Sequence, residues 1–465
     1  MQPDTAFAAN RLDRLPLSAF HWRLLLLIGA GMFLDAFDLY LGGSITSALL
    51  KDGWSTLEQN ALFGTLTFAG LTVGAMLAGL LGDRYGRRFS YQINLAIFGG
   101  ASFVAALMPD MFWLSVVRFV MGVGMGAELV VSYGMLSEFV PPRYRGRMLT
   151  LLSLFANSAV FIASLLSLWV IPRIGWRYMF ALVGVAALVI WFMRKSMPES
   201  PRWLESRGRI AEAEAVLAAV EAEVGRQHPL PAYSREVVPA MPQVSMGVLF
   251  SPPIVMRTVV GSLIMMCIGF SLYGLINWLP SFFVKQGFDI VKSLTWATVM
   301  TLGGPVGTLI GIFAVDRFGR RPAIITSCLA TAVFGLIYQQ VSTGTELMTV
   351  GFLLVSSIYV LVSVGQGAYV PELFATPYRL RGTGWCGMTG RLVSAGCQFF
   401  VLWLFMRGGV TLVVGTVVAT QIALAIAVWA MRIETRGRRL EELEVDVSGS
   451  EPAARGSREV AGAAK

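Results

Sequence analysis

A small set of ionisable residues interrupts long apolar stretches of the sequence, where a charge is costly and usually serves a function. They are Asp35, Asp38, Arg118, Glu128 and Arg391. The two histidines, His21 and His228, lie outside these stretches, so a histidine proton relay inside them is excluded. Carboxylates are therefore the candidate proton carriers, and the arginines are candidate partners for a carboxylate or an anionic ligand.

The composition indicates which elements must position these residues. Of 465 residues, 55% are hydrophobic and 14% are charged, whereas a soluble domain has about 25% charged residues. The hydrophobic content also excludes a disordered chain. A helix needs about 20 apolar residues to cross a membrane, and we count twelve such spans, numbered 1 to 12 in order: 24–50, 60–81, 89–109, 111–134, 148–171, 177–193, 255–279, 293–315, 322–341, 347–370, 383–406 and 410–431. The predicted fold class is an all-α polytopic membrane protein with twelve transmembrane helices.

Twelve spans place both termini on one side of the membrane, and most Lys and Arg residues outside the spans fall on that side. The opposite side has only Lys51, Arg173, Arg177, Lys285, Lys292 and Arg407. Because cytoplasmic loops are enriched in positive charge, we expect a multi-pass protein of the plasma (inner) membrane with cytoplasmic termini. The expected units are a cytoplasmic segment 1–23, a six-helix bundle 24–193, a linker 194–254 with a helix over 210–224, a second bundle 255–432 and a cytoplasmic tail 433–465.

The topology predicts that Asp38 and Arg118 lie at one depth. Asp38 is ~22 Å along span 1 from its cytoplasmic end, and Arg118 is ~10 Å along span 4 from the outer end. An aspartate beside an arginine stays charged until the pair opens, so the pair could couple protonation to conformational change; the alternative is a static ion pair. Asp35 would tune Asp38 or face the cavity. Glu128 is either a second proton site or a hydrogen-bonded structural carboxyl.

The two predicted bundles repeat each other in sequence. Segments 82–88 and 315–321 follow spans 2 and 8 with the same order of Asp, Arg and Gly residues. Glu138 and Glu372 follow spans 4 and 10 in almost the same register. Small residues spaced four apart, which let membrane helices approach closely, recur in spans 2 and 8: Gly70, Gly74 and Ala78, then Gly303, Gly307 and Gly311. These matches indicate an internal duplication.

The charged loops of this repeat form a candidate cytoplasmic gate, in which ion pairs and helix-end contacts hold one side of the protein shut. Its candidate residues are Asp83, Arg84, Gly86, Arg87, Arg88, Glu138, Arg145, Asp316, Arg317, Gly319, Arg320, Glu372 and Arg381. The alternative, that they only set the topology, explains the arginines but not the paired Asp and Gly residues.

These motifs resemble the major facilitator superfamily over nearly the whole chain. The Asp-Arg-x-Gly-Arg-Arg loops at 83–88 and 316–321 are similar to its signature. Pro-Glu-Ser-Pro-Arg at 198–202 and Pro-Glu-Leu-Phe at 371–374 resemble its sugar-porter and related branches. The resemblance implies a two-half transporter that works by alternating access. It says much less about the substrate, because a fold does not fix a function.

Departures from the sugar-porter pattern bear on the substrate. Met265 and Met266 stand in span 7 where sugar porters carry a paired glutamine. The segment 35–38, Asp-Ala-Phe-Asp, is similar to the Asp-Gly-x-Asp signature of proton symporters for aromatic acids, with Ala36 in place of glycine. Arg391 in span 11 also resembles the aromatic-acid and niacin transporters. The resemblance therefore implies an organic anion.

Arg391 is the leading substrate-binding candidate. It lies ~12 Å along span 11 from the cytoplasmic face, near the depth at which transporters bind substrates, and a guanidinium can clamp a carboxylate with two hydrogen bonds. The alternative is an arginine neutralised by a nearby carboxylate. Its counterpart in the repeat is Asn157, so this charge belongs to one half only. Further pocket candidates, each of which could equally serve helix packing, are Tyr273, Asn277, Trp278, Gln366, Tyr369 and Gln398.

Together these observations predict a secondary active transporter, a proton symporter that imports a small organic, for example aromatic, carboxylate. Two alternatives are a proton-coupled or facilitative transporter of a neutral sugar or polyol, and a transporter-like membrane receptor. An enzyme is not expected, since the sequence has no nucleophile–base pair, metal-ligand cluster or phosphate-binding loop for ATP. We expect no cofactor or metal and no nucleic-acid partner. The expected partners are a small-molecule substrate, protons and the lipid bilayer, with the protein acting as a monomer.

Overall fold

The computed structural model describes residues 8–232, 245–341, 343–374 and 378–431, and every regular element within these ranges is a helix. The side chains of 78–81, 83, 129, 130, 253, 316 and 380 lie outside the description. Two gate candidates, Asp83 and Asp316, therefore cannot be placed, and the predicted tail 433–465 also lies outside the described residues. Eleven helical segments are long and apolar enough to cross a membrane. One of them contains two spans, which gives the twelve that the sequence predicts.

The spans of the first half are regular helices: Ala19–Lys51, Leu57–Tyr85, Arg87–Ala106, Met111–Phe139, Pro142–Ile174 and Arg177–Met193. Side-chain caps begin several of them, because the first backbone N–H groups of a helix have no partner within it. Asp110 caps span 4 by accepting from the Trp113 N–H. Span 1 begins five residues before its predicted start, so His21 lies in its first turn, buried, with Nδ1 3.0 Å from the Ser18 hydroxyl.

The second half contains two spans with wider, π-helical turns that the sequence did not predict. Span 7 consists of Pro252–Gly269, the π-helical Phe270–Leu275, the 3-10 turn Ile276–Trp278 and Leu279–Lys285. Span 8 is Ile290–Thr301 and Gly303–Phe318, and span 9 is Arg320–Tyr338. Span 10 consists of Gly344–Leu361, the π-helical Val362–Tyr369 and Val370–Glu372. π-Helical turns are rare and often lie at functional sites, and these two contain the candidates Tyr273, Gln366 and Tyr369.

Spans 11 and 12 form the segment Arg379–Met431, which two glycines divide. Gly408 (φ −142°, ψ 18°) and Gly409 (φ 61°, ψ −158°) both leave helical geometry. The positive φ of Gly409 is readily adopted only by a residue without a Cβ atom. The break lies in the gap between the predicted spans 383–406 and 410–431, so that boundary is confirmed.

The packing of the helices repeats between the halves, as the sequence duplication predicts. Spans 2 and 4 pack together in the first half, as spans 8 and 10 do in the second. A Cβ atom added at Gly74 would lie 2.0 Å from the Val123 carbonyl oxygen, and one added at Gly307 would lie 2.1 Å from that of Ser356. These contacts are too short for any side chain, so the glycine pattern sets the close approach of both helix pairs.

The N-terminal segment and the linker pack against each other and against the first half; we call this assembly the linker layer. It contains Ala8–Asp13, Pro201–Ser206 and Ile210–Gly225, the last of which confirms the helix predicted over 210–224. Arg11 donates to Glu221 at 2.7 Å and to Glu214 at 2.5 Å, and Arg14 donates to Glu221 at 2.6 Å. Although burial opposes the charged form of Glu221, the hydrogen bonds from Arg11 and Arg14 lower the pKa of its carboxyl below the ordinary glutamate value.

Candidate functional site

Asp38 and Arg118 form a buried ion pair between spans 1 and 4. The Arg118 Nη1 group donates to Asp38 Oδ2, and Nη2 donates to the Asp38 backbone carbonyl at 2.8 Å. Arg118 Nε donates to the Thr67 hydroxyl at 3.2 Å, and the Phe63 ring centroid lies 5.1 Å from the guanidinium carbon. Both charged side chains are almost fully buried. Asp38 Oδ1 has no hydrogen-bond partner among the described residues, which leaves an oxygen that could accept a proton.

A second buried ion pair joins Glu128 to Arg194, and the sequence analysis missed its arginine. Arg194 Nη2 lies 2.6 Å from Glu128 Oε1, and both side chains are about 2% exposed or less. Arg194 also donates to the backbone carbonyls of Leu27 at 2.9 Å and Ile28 at 3.0 Å. The residue follows the last predicted position of span 6, where an arginine looks like an ordinary loop charge. The structure instead continues the helix with a 3-10 turn, Arg194–Ser196, that turns Arg194 inward.

Arg391 has no ion pair or hydrogen bond with any described residue. Its side chain is partly exposed, and its principal electrostatic neighbour is the Tyr273 hydroxyl. The alternative interpretation of Arg391 requires a carboxylate to neutralise it, and the described part of the chain supplies none. A deeply placed guanidinium without an internal partner is suited to binding an anionic ligand.

Three tyrosines lie where the halves meet, and one of them, Tyr273, is the neighbour of Arg391. The Tyr359 hydroxyl donates to the Tyr40 hydroxyl at 2.7 Å, and the rings of Tyr40 and Tyr273 stack with centroids 6.1 Å apart. Phe68 also packs against Tyr273, with ring centroids 4.4 Å apart. The sequence analysis selected Tyr273 but missed Tyr40 and Tyr359, since a single tyrosine in an apolar helix carries no signal of its partners.

Gln398 and Trp278 border a small cavity between the halves, whose lining also includes Arg118 and Asn277. Trp278 Nε1 donates to Gln398 Oε1 at 2.8 Å. Gln398 Nε2 donates to the Ser394 carbonyl at 3.0 Å. Arg391 does not line this cavity, so the structure does not bring all the predicted pocket residues together.

The remaining pocket candidates differ in their exposure. Asn157 is partly exposed in span 5, where a Cβ atom added at Gly304 of span 8 would lie 3.3 Å from its carbonyl oxygen. Gln366 is exposed, whereas Tyr369 is fully buried on the same π-helical segment. Asn157 thus lies between the halves, Gln366 faces open space, and Tyr369 has the burial of a packing residue.

The charged loops contain two ion pairs that the duplication relates. Arg87 Nε lies 3.5 Å from Glu138 Oε1, and Arg320 Nη2 lies 3.0 Å from Glu372 Oε1. Two hydrogen bonds to backbone carbonyls also repeat. Arg88 donates to the Lys195 carbonyl and Arg321 donates to the Trp429 carbonyl, each at 2.7 Å. Each of these contacts joins spans of the same half. In this conformation none of these described contacts crosses between the halves. They could therefore help to close one side, as the sequence predicts, only if each half moves as a unit.

The other described gate candidates are two glycines between helices and four arginines. Gly86 (φ 100°) and Gly319 (φ 93°) separate spans 2 and 3 and spans 8 and 9 in conformations that favour glycine. Arg84 and Arg317 are exposed beside Tyr85 and Phe318. Arg145 lies 3.6 Å from Asp13 of the linker layer. Arg381 is partly exposed.

The halves approach each other closely at the end that carries the loops between spans 1 and 2 and between spans 7 and 8. A Cβ atom added at Gly43 would lie 2.1 Å from the Asn277 carbonyl oxygen. Thr65 donates from span 2 to the Ala395 carbonyl in span 11 at 3.1 Å. The interface is therefore tightly packed at the end opposite the linker layer.

Comparisons with known proteins place the chain among transporters. The family model described as "Sugar (and other) transporter" matches residues 27–447. The inner membrane metabolite transport protein YdjE of Escherichia coli is 35% identical, over 93% of this chain and 97% of that protein. The niacin transporter NiaP of Acinetobacter baylyi is 31% identical, over 93% and 99%. The inward-open xylose transporter XylE from E. coli has the same fold, with a TM-score of 0.69 at 17% identity over 91% of this chain and 99% of that one.

Proposed function

Because the chain belongs to the sugar (and other) transporter family of the major facilitator superfamily, and is therefore a transporter and not an enzyme, we propose that it imports a small organic carboxylate together with protons. The imported compound is an organic acid with a planar, for example aromatic, body. The fold supports alternating access between two bundles, with the ligand bound where they meet.

The observation that carries the proposal is Arg391. It has no ion pair with a described carboxylate, it is partly exposed, and it lies beside the Tyr273 hydroxyl. A guanidinium recognises a carboxylate through two parallel hydrogen bonds, and an aromatic ring beside it suits a planar ligand. The likeness to a protein named as a niacin transporter adds support, because niacin is a pyridine carboxylate.

Proton coupling is assigned to Asp38 and Arg118. Asp38 Oδ1 is buried without a described partner, so a proton there would remove the charge that holds Arg118. Ligand and proton are coupled when each binds the two conformations with different affinity, and only to that extent. Asp35 and Glu128 are the further coupling candidates.

We place the termini and the linker layer in the cytoplasm of the inner membrane, following the excess of Lys and Arg on that side. In this orientation the tight contacts at Gly43 and Thr65 close the outer end. The gate residues then lie at the cytoplasmic end, where they would meet when the halves rock together.

A neutral sugar or polyol is the second candidate, because the cavity between the halves is bordered by the amides of Asn277 and Gln398 and not by Arg391. Amide groups can hydrogen-bond hydroxyls without any charge on the ligand.

Uptake into proteoliposomes tests both candidates. Aromatic acids, aliphatic acids, hexoses and polyols are offered with and without an inward proton gradient. We expect gradient-driven accumulation of a carboxylate that hexoses and polyols do not inhibit. Uptake of only neutral compounds would contradict the carboxylate assignment. Accumulation that is the same with and without the proton gradient would contradict proton coupling.

A further inference from the structure

The Glu128–Arg194 pair has a third charged neighbour, Asp35, and the three charges do not balance. Asp35 interacts electrostatically with Glu128, Arg194 and Asp38, and the residue is 7% exposed. Two carboxylates and one guanidinium leave this cluster with one excess negative charge. Burying an uncompensated charge is strongly unfavourable, so the cluster needs one more positive charge.

Four buried atoms around the cluster have no hydrogen-bond partner among the described residues: Asp35 Oδ2, Glu128 Oε2, Arg194 Nη1 and the Tyr91 hydroxyl. Of these, the two carboxylate oxygens are the atoms that can bind a proton. The remaining groups around them cannot supply a positive charge. Ser132 donates to Glu128 Oε1 at 3.3 Å, and the Tyr91 ring centroid lies 4.8 Å from the Arg194 guanidinium carbon.

A glycine in span 1, Gly31, leaves room for the side chains of the cluster. A Cβ atom added at Gly31 would lie 1.9 Å from Arg194 Nη2 and 2.5 Å from Glu128 Oε1. The glycine therefore leaves the space that the guanidinium and the carboxylate occupy beside Asp35, one helical turn away.

We propose that this cluster is a second proton-binding site, in which Asp35 and Glu128 share one proton and Arg194 balances the remaining negative charge. A metal cation is the poorer occupant, because the described residues hold no group of three His, Cys, Asp or Glu side chains able to ligate one. The site is separate from the Asp38–Arg118 pair, since Glu128 lies ten residues, or ~15 Å, along span 4 from Arg118. Its role in transport rests on the proposed proton coupling, as a station between Asp38 and the cytoplasmic end.

Infrared spectroscopy of the purified protein in detergent tests the site without transport. A protonated carboxyl has a C=O stretching band that an ionised one lacks, and the band shifts in D2O. We expect this band in the wild type at neutral pH and its loss in both Glu128→Gln and Asp35→Asn, because either change leaves one carboxylate balanced by Arg194. Glu138→Gln, which removes a carboxylate from the same span outside the cluster, should keep the band.

The outcomes separate this inference from the proposed function. The band should persist in Asp38→Asn whether or not that variant still accumulates substrate. Absence of the band in the wild type, or its survival in Glu128→Gln, would overturn the shared proton. If Glu128→Gln fails to fold, Asp35→Asn alone tests the sharing, and survival of the band there would overturn it equally.

Discussion

The hydroxyls of Tyr40 and Tyr359 lie 2.7 Å apart and join span 1 of one half to span 10 of the other. Both side chains are buried, so the bond is made inside the interface that must rearrange during transport. A buried hydrogen bond whose partners both lose water contributes about 1 kcal/mol net. It therefore favours the conformation in which it forms.

Tyr359→Phe should destabilise that conformation by about 1 kcal/mol. The population should then shift toward the state in which the end near Gly43 is open. The measurement is labelling of single cysteines placed near Gly43 at the closed end, which should become faster. Tyr338→Phe is the matched control, because the Tyr338 hydroxyl is buried in span 9 with no described partner. Equal labelling in both variants would contradict a role for the Tyr40–Tyr359 bond in the conformational balance.

Arg391→Lys should lose most of the affinity for a carboxylate substrate, because an ammonium cannot reproduce the two parallel hydrogen bonds of a guanidinium. Arg391→Gln should lose more, since the charge also goes. Substrate binding to the purified protein measures both effects. Arg407→Lys, a change between spans 11 and 12, serves as the control. Normal binding by Arg391→Gln would remove the basis of the organic-anion assignment.

Asp38→Asn should behave as a permanently protonated form. It should retain ligand binding and counterflow exchange but lose accumulation driven by a pH gradient, because no proton is released on the inner side. Parallel counterflow and gradient-driven uptake in proteoliposomes separate these steps. Asp35→Asn should have the milder effect on accumulation. If Asp38→Asn still accumulates substrate, the proton must be carried by Asp35 or Glu128.

The pairs Arg87–Glu138 and Arg320–Glu372 should be equivalent in function because the duplication relates them. Each is partly exposed, so breaking one should cost about 0–1 kcal/mol of stability while slowing transport. The exchanged variant Arg320→Glu with Glu372→Arg should recover part of the rate lost by either single change. Uptake rates in a double-mutant cycle provide the test. No recovery, with all variants inserted normally, would mean that the residues act separately.

Glu221 should stabilise the linker layer at neutral pH and lose that effect only in acid. The pKa of its carboxyl is lowered in the folded protein by Arg11 and Arg14, so its stabilising effect is complete above the ordinary glutamate value of about 4.3 and is lost as pH falls through the lower folded value. Trypsin cleavage near Arg11 should therefore be equally slow from pH 6 to 8. Glu221→Gln should accelerate it at pH 7 several-fold, and Glu223→Gln, which removes a more exposed pair with Arg23, should not.

The spans and their duplication could be predicted because both depend on local sequence. Apolar length determines which segments can cross a membrane, and the repeated glycines of spans 2 and 8 give the helix pairs that pack closely. The break at Gly408 and Gly409 follows from the same kind of signal. The π-helical turns of spans 7 and 10 could not be predicted, because their apolar sequences would equally form an α-helix and only packing against neighbouring spans selects the wider turn.

The sequence by itself determined the number of spans, the repeat and the rare charges within the spans, since each is a property of composition and spacing along one helix. The topology also predicted that Asp38 and Arg118 lie at one depth, and the structure joins them. Only the tertiary structure decided the other contacts: it left Arg391 without a described carboxylate, and it turned Arg194 from an apparent loop residue into the partner of Glu128. The physical reason is that helix rotation and tilt, which depend on contacts among all the spans, fix where each side chain points. A charged residue just beyond a predicted span can therefore be solvated or buried. Its neighbours in the folded protein decide which, and the local sequence does not.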